Sequence, residues 1–485
     1  MLRFRLLMVS ILSVLALGSA RDQSLLAQQF NPNPPSSTAQ QIEELQRQLD
    51  QLRLETSQNQ SQPSTLFAGY PTQGGLPIAD KITAPLAMTS ATKPAEKKFP
   101  EMKMTGFFQL DAAKFDQSPE SIATLGDIQD GAGFRRARLA ATGNLSEQVS
   151  INMEFDFAQA QARFVDVWGQ VKNTPFGNVR IGRFRQPFGM SELTGIRELA
   201  FLERPTSVAF APFRQTGIMF SDNALDERAT WAVAGFRTLS DNFGNVFGDD
   251  GGYGTAERFT YLVRDSSDDS GLVHVGASHS FLDPARNQFQ IASLDEVFVG
   301  QQPNLGPAGL GVLPLVGVPP FVNSGIFNLD HANLFGLEAA ASVGHALVQA
   351  EYRWANLSLP TGEEVTVQTG YATARYVLTG ETIPYNQVTG VFGRIKPKNS
   401  VDFAKGEIGA WEVVARIGNI NLNPLFGQPS VTGNARRLNS LDLGLNWYMT
   451  ANSKFQLNWI NGDLNDPVLG DSMTNTYAAR VQFDF

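Results

Sequence analysis

The 485-residue chain contains no cysteine and only four histidines. Without cysteine there is neither a disulfide scaffold nor thiolate chemistry, so stability must rest on hydrogen-bonded backbone and packing. His274, His279, His331 and His345 show no metal-ligand spacing such as HExxH, and no Ser/His/Asp arrangement stands out. The chain therefore does not read as an enzyme, and no cofactor or metal site is expected; Asp249 and Asp250 read as part of a solvated loop. Charged residues make up only 18%, and the net charge is −9. That excludes the basic face of a nucleic-acid binder. Beyond the leader, no apolar run approaches the eighteen or so residues of a membrane-spanning helix. Two classes remain: a secreted all-β protein, or a transmembrane β-barrel whose lipid face is hidden from a hydropathy average by its period of two.

The first residues resemble an export signal. Arg3 and Arg5 give a positive start, Leu6 to Leu17 an apolar stretch, and Gly18, Ser19 and Ala20 a small-residue cleavage site. Residues 1–20 read as a signal peptide, with a cut near Ala27 as the alternative. Residues 28–56 read as a polar periplasmic segment holding QQIEELQRQLDQLRLE. There Ile42, Leu45, Leu49 and Leu52 follow the 3-4-3 spacing of a short coiled coil. Two heptads are marginal alone, so self-association requires an oligomer that already holds the copies together. Residues 57–100, with scattered prolines, read as a flexible linker able to span on the order of 100 Å.

From residue 101 to residue 485 the texture is alternation. In SINMEFDFA, Ile151, Met153, Phe155 and Phe157 oppose Asn152, Glu154 and Asp156. In HALVQAEYRWAN, Val348, Ala350, Tyr352 and Trp354 oppose Gln349, Glu351 and Arg353. About sixteen such runs, of membrane-strand length, are separated alternately by short turns and long loops. Aromatics cluster at strand ends, as at Phe107-Phe108, Trp411, Trp447-Tyr448 and Trp459. The expected fold is all-β: a transmembrane antiparallel β-barrel of about sixteen strands in outer-membrane lipid. The final stretch, TYAARVQFDF, is its last strand, with Arg480 and Gln482 in the lumen and the first strand met near Met102.

If apolar residues face lipid, their alternates line the lumen. By alternation Arg136 and Arg138 share the lumen face while Arg135 sits at the strand mouth, with Asp111, Glu154 and Asp156 as possible internal ion-pair partners. After Pro187-Phe188-Gly189 the alternation lapses for about 25 residues, although Phe188, Leu193, Phe201, Leu202 and Phe210 need a packing partner. Such a loop fits inside the barrel. It would gather Arg183, Arg185, Arg197, Arg204 and Arg214 with Glu192, Glu198 and Glu203 into a mixed-charge eyelet. Arginine, always charged and forked, suits carboxylate or phosphate recognition there.

GFRRARL, MEFDFA, GRFRQPFGMSELT, FLERP and AFAP, followed by GYATARYVLTGE, KGEIGAWEVVARI and the terminal Phe485, resemble the phosphate-selective porin O and P family. The resemblance spans residues 101–485 and implies a sixteen-stranded homotrimeric outer-membrane porin whose third loop folds inward. In anion-selective members a basic constriction includes a lysine on that loop. Arg135 and Arg136 match the family's paired strand arginines, and Arg197 stands where the loop lysine falls. The family's arginine ladder in a later loop has no counterpart: residues 283–330 hold only Arg286, against Asp283, Asp295, Glu296 and Asp330. Phe485 resembles the signal read by the barrel-assembly machinery. The expectation is a diffusion porin for small hydrophilic solutes, with preference for anions or phosphate through Arg135, Arg136 and Arg197. The alternative is a structural barrel that tethers the outer membrane to the cell wall through the N-terminal segment and conducts little.

Overall fold

The computed structural model describes residues 98–485 except 159–161, 239–240, 242, 246–247, 249, 266–270, 295, 298, 300–317, 429–430, 432 and 434. The expected signal peptide, coiled coil and nearly all of the linker lie outside the described residues.

Sixteen antiparallel strands, each paired with its neighbours in sequence, close into a barrel. They are β1 (Glu101–Gln117), β2 (Gly131–Asn144), β3 (Val149–Asp156), β4 (Arg163–Thr174), β5 (Gly177–Arg185), β6 (Arg214–Ala224), β7 (Ala229–Arg237) and β8 (Tyr253–Arg264). They continue as β9 (Leu272–Asp283), β10 (His331–Val343), β11 (Ala346–Ser358), β12 (Glu364–Val377), β13 (Ala410–Asn421), β14 (Arg437–Thr450), β15 (Ser453–Asp466) and β16 (Gly470–Asp484). Closure is between β16 and β1, with Asp111 opposite Arg480. The seam runs from Phe107–Asp484 to Gln117–Thr474, so the first strand is met about five residues later than Met102, which pairs only with β2.

The period of two sets the faces. Met104, Ile181, Ile417 and Tyr477 point outward and are exposed, whereas Arg353, Arg480 and Gln482 are buried in the interior. Apolar outside and charged inside is the pattern lipid selects. Aromatic pairs mark both rims. Trp411 stacks on Trp447 at the turn end (5.3 Å, 14°), and Phe335 stacks on Trp354 at the loop end (5.1 Å, 15°). Phe107 and Tyr448, expected at a rim, instead face inward: Phe107 packs on Ile196 and Leu199, and the Tyr448 hydroxyl donates to Glu412 at 2.8 Å.

Most turn-end connections are two to seven residues long, as the sequence suggests, but β12 and β13 are joined there by residues 378–409. This segment folds back into the barrel. Ile383, Val391, Phe392 and Ile395 pack against Leu262, Leu272, Leu347 and Val377 of the wall. From the loop end, residues 186–213 and the described part of 284–330 also turn inward. Phe188, Leu202 and Phe210 of the first join Phe289, Ile291, Leu294 and Phe321 of the second in one apolar core. The wall's Leu334, Leu357, Val367, Ile420 and Leu438 complete it. Two short ladders, Gln288–Phe289 with Phe327–Asn328 and Ala292–Ser293 with Val322–Asn323, order the second insertion. The inner wall of β10–β15 is thus covered by packed chain, and the cavities described next run along β2–β7.

Candidate pore constriction

The loop of residues 186–213 carries Pro187, Gly189, Gly195, Pro205 and Pro212, which break strand geometry. It forms only short turns at Met190–Leu193, Ile196–Glu198 and Thr206–Phe210. Irregular backbone inside a barrel needs partners for its carbonyls. The surrounding wall supplies them. Lys454 Nζ donates to Leu199 O (2.8 Å), Asn446 Nδ2 and Gln456 Nε2 to Ala200 O (2.8 and 3.1 Å), and Arg353 to Ser207 O (3.1 Å). Arg480 donates to Leu202 O, while Asn458 Oδ1 accepts from Leu202 N (3.0 Å). Neutral hydrogen bonds contribute about 1 kcal/mol each and charged ones roughly 1.5–3. Together they staple the loop across the lumen. Gly189, with φ of 70°, lets the chain pass close to β11: a Cβ there would lie 2.3 Å from an Arg353 terminal nitrogen.

On the near wall the loop is held by Glu203. The β1–β2 register shifts between Gln109 and Leu110, leaving Arg135 as an extra residue. This bulge breaks the alternation. Arg135 therefore does not sit at the strand mouth; it turns inward beside Arg136, and both reach Glu203 (2.9 Å from Arg135; 2.7 and 2.9 Å from Arg136). Arg480 bridges Glu203 (2.9 Å) and Asp111 (2.6 Å). Burial alone would raise the Glu203 pKa, but Arg135, Arg136 and Arg480 outweigh it and hold the carboxyl well below its usual range.

The remaining expected residues divide between pairing and lining. Arg138 pairs with Asp156 (2.9 Å) and Glu154 (3.3 Å), and Arg214 with Asp166 (2.9 Å). Arg185 donates to Glu192 O (2.6 Å) and Thr194 O (2.8 Å), and Arg204 donates to Ser191 O (2.7 Å). The Glu192 carboxylate is buried under the loop, 3.9 Å from Arg185 Nε, and neither oxygen has a hydrogen bond among the described residues. Burial raises its pKa. Glu198 lies 3.9 Å from Arg394, and Arg197 places its guanidinium 5.5 Å over the Phe107 ring.

A cavity of about 90 Å³ is lined by Arg135, Arg136, Arg138, Arg163, Arg183, Arg185, Arg204 and Arg214, against Asp156, Glu203 and Glu296. A second, of about 450 Å³, adjoins it through Arg138, Arg185, Ile196 and Arg214 and also takes in Arg197 and Glu198. A third, of about 290 Å³ with Lys103 and Lys172, meets the second at Trp168, Gln170 and Arg180. The first two thus share three arginines and an isoleucine in their linings. Of the expected residues, Glu192 lines none of these three cavities. Arg163 and Arg180 escaped the sequence reading, although alternation with Val179 and Ile181 points Arg180 to the lumen.

A closed barrel with an apolar outer face, aromatic rims and a charged lumen narrowed by an inward loop defines an outer-membrane channel. More particularly, the chain belongs to the phosphate-selective porin O and P family, whose model matches residues 102–307 and 318–485. An uncharacterized protein of Caulobacter vibrioides is 26% identical over 514 residues, covering 99% of this chain and 96% of that relative. Among solved structures, the anion-selective porin from Comamonas acidovorans is similar at 12% identity and TM-score 0.48, over 80% of this chain and 100% of that one. OmpT, an outer membrane protein of Vibrio cholerae, is similar at 10% identity and TM-score 0.47, over 81% and 99%. The outer membrane channel DcaP of Acinetobacter baumannii is similar at 10% identity and TM-score 0.47, over 80% and 97%.

Proposed function

We propose that the channel passes small hydrophilic solutes by diffusion and prefers anions, phosphate among them. The observation that carries this reading is the excess of guanidinium over carboxylate along β2–β6: eight arginines against three acids in the first cavity. Arg135, Arg136, Arg138 and Arg214 are largely neutralised by their partners, so the unbalanced field falls to Arg180 and Arg197 together with Lys172 toward the turn end. In a low-dielectric wall such a field raises local anion concentration. The ladder missing from residues 283–330 is thereby replaced, in this reading, by wall residues. Reversal potentials of the purified protein in a KCl gradient test it, with chloride preference expected and cation preference overturning it. A non-conducting tether would give no conductance steps.

The remaining assignments belong to the same proposal. The protein acts as a homotrimer, its final Phe485 is read by the barrel-assembly machinery, residues 1–20 are removed, and residues 28–56 and 57–100 form a periplasmic coiled coil and linker. That segment is the part able to contact the cell wall. Deleting residues 28–60 should leave the oligomer intact on native gels if the barrel alone drives assembly.

A further inference from the structure

The second cavity differs in chemistry from the first. Two of its arginines, Arg180 and Arg197, lie against rings without an acid partner among the described residues: the Arg180 guanidinium is 4.2 Å from the Trp168 ring centre and 5.8 Å from that of Phe184. Arg197 is 5.5 Å from Phe107. Arg138 and Arg214, which line the same cavity, are ion-paired, whereas Arg180 and Arg197 have no carboxylate in ion-pair contact among the described residues. Asp166, an acid in the same cavity, is taken by two nitrogens of Arg214. Arg180 donates from two nitrogens to one neutral acceptor, Gln170 Oε1, at 2.9 and 2.7 Å. Its remaining terminal nitrogen has no hydrogen bond to a described residue.

A guanidinium stacked on an indole keeps its N–H edge for an anion while its face and the neighbouring rings offer apolar, planar contact. Inorganic phosphate gains nothing from those rings and must shed water against them. We propose that this cavity is a binding site for organic anions with a planar apolar body, aromatic carboxylates in particular. The carboxylate lies on Arg180 and the ring lies against Trp168. Because Trp168, Gln170 and Arg180 also line the third cavity, the site is reached from the turn end. The proposal rests on the anion-channel reading and names its solute class.

The test is block of single-channel KCl current in planar bilayers by benzoate, acetate and inorganic phosphate. Benzoate should block at a concentration roughly tenfold lower than acetate, the size of one aromatic stacking contact. Trp168→Leu should bring the benzoate-to-acetate ratio close to one, and Trp168→Phe should retain most of it. Arg180→Gln should weaken block by both carboxylates. Equal block by all three anions in the wild type, or an unchanged ratio in Trp168→Leu, overturns the proposal. If Trp168→Leu does not assemble, an unchanged benzoate block in Arg180→Gln overturns it alone. Reversal potentials in plain KCl are read separately: cation preference there refutes the anion channel itself, whereas chloride preference without benzoate selectivity refutes only this site.

Discussion

Arg136 on β2 holds both carboxylate oxygens of Glu203 on the inward loop, at 2.9 and 2.7 Å. The two residues are 67 positions apart, and the contact fixes the loop to the wall beside the arginine-lined first cavity. Arg135 and Arg480 converge on the same carboxylate. Glu203→Gln should therefore do two things. It breaks a buried ion-pair cluster, a change that costs about 3–5 kcal/mol in comparable settings. It also makes the constriction more positive. Bilayer recordings should show noisier open-channel current and a larger chloride-to-potassium permeability ratio. Quiet current with an unchanged ratio would mean that Glu203 does not hold the loop.

Acidification should have two limbs. The Glu203 pKa is depressed below the free value of 4.5, so its stabilisation is complete above 4.5 and is lost as pH falls through the depressed value. Glu192 has the opposite sign. Burial raises its pKa, so its charged form is a penalty at neutral pH that lifts as pH falls through the raised value. The loop should stay quiet, or become quieter, as pH falls from 7 toward the free value of 4.5 and become noisy only well below it. Glu192→Gln should abolish the upper limb and leave the lower one. A single transition at the ordinary glutamate value, removed by neither substitution, would show that these carboxyls do not govern the loop.

How far the sequence carried this account follows from which interactions are local. Alternation within one strand is a local property, so SINMEFDFA and HALVQAEYRWAN could be assigned faces directly. So could the lapse of alternation after Gly189. The bulge at Arg135 is not local: it exists only as a mismatch between the count of β1 and that of β2. The same holds for pairing. Alternation places Asp111, Arg480, Lys454 and Asn458 in the lumen, but that Asp111 meets Arg480 depends on closure across 369 residues. Residues 378–409 escaped for another reason. Their flanks, GYATARYVLTGE and KGEIGAWEVVARI, read as strands, and nothing in their composition separates a surface turn from chain that packs inside.

The two arginines expected to set selectivity should separate experimentally. Arg136 is buried and committed to Glu203 and Gln109, whereas Arg197 is half-buried over Phe107 in the wider cavity. Arg197→Ala should lower chloride preference with little change in thermal stability. Arg136→Ala should lower stability first, because it removes from a buried acid the one arginine that holds both its oxygens. Reversal potentials and heat-shift gels of the two variants give the comparison. Equal stability losses would contradict the division between lining and stapling.

The turn-end insertion should limit conductance. Arg258 donates to Thr389 O (3.0 Å) and Gly390 O (2.8 Å) while pairing with Glu338, and the Tyr385 hydroxyl meets His274 at 2.7 Å. Val388 and Thr389 reach the 450 Å³ cavity. Replacing residues 384–392 with a short Gly-Ser turn should enlarge the conductance step without altering the loop of residues 186–213. An unchanged step would place the limiting resistance wholly among the arginines shared by the first two cavities.

Phe485 joins the first strand twice over. Its backbone exchanges two hydrogen bonds with Gly106, both 2.9 Å, and its ring covers that glycine so closely that a Cβ would lie 2.4 Å from a ring carbon. The ring is nevertheless 65% exposed, so its loss removes little buried area. Phe485→Ala keeps the backbone pair and should change the stability of detergent-refolded barrel by no more than about 1 kcal/mol. If the residue is an assembly signal, the same variant should accumulate poorly in outer membranes while refolding normally in vitro. Gly106→Ala supplies the control: the added methyl displaces the ring but leaves Phe485 in the chain, so it should weaken the refolded barrel more than Phe485→Ala and impair membrane insertion less. Parallel losses in both assays for both variants would make the contact structural and leave no separate role for the terminal ring.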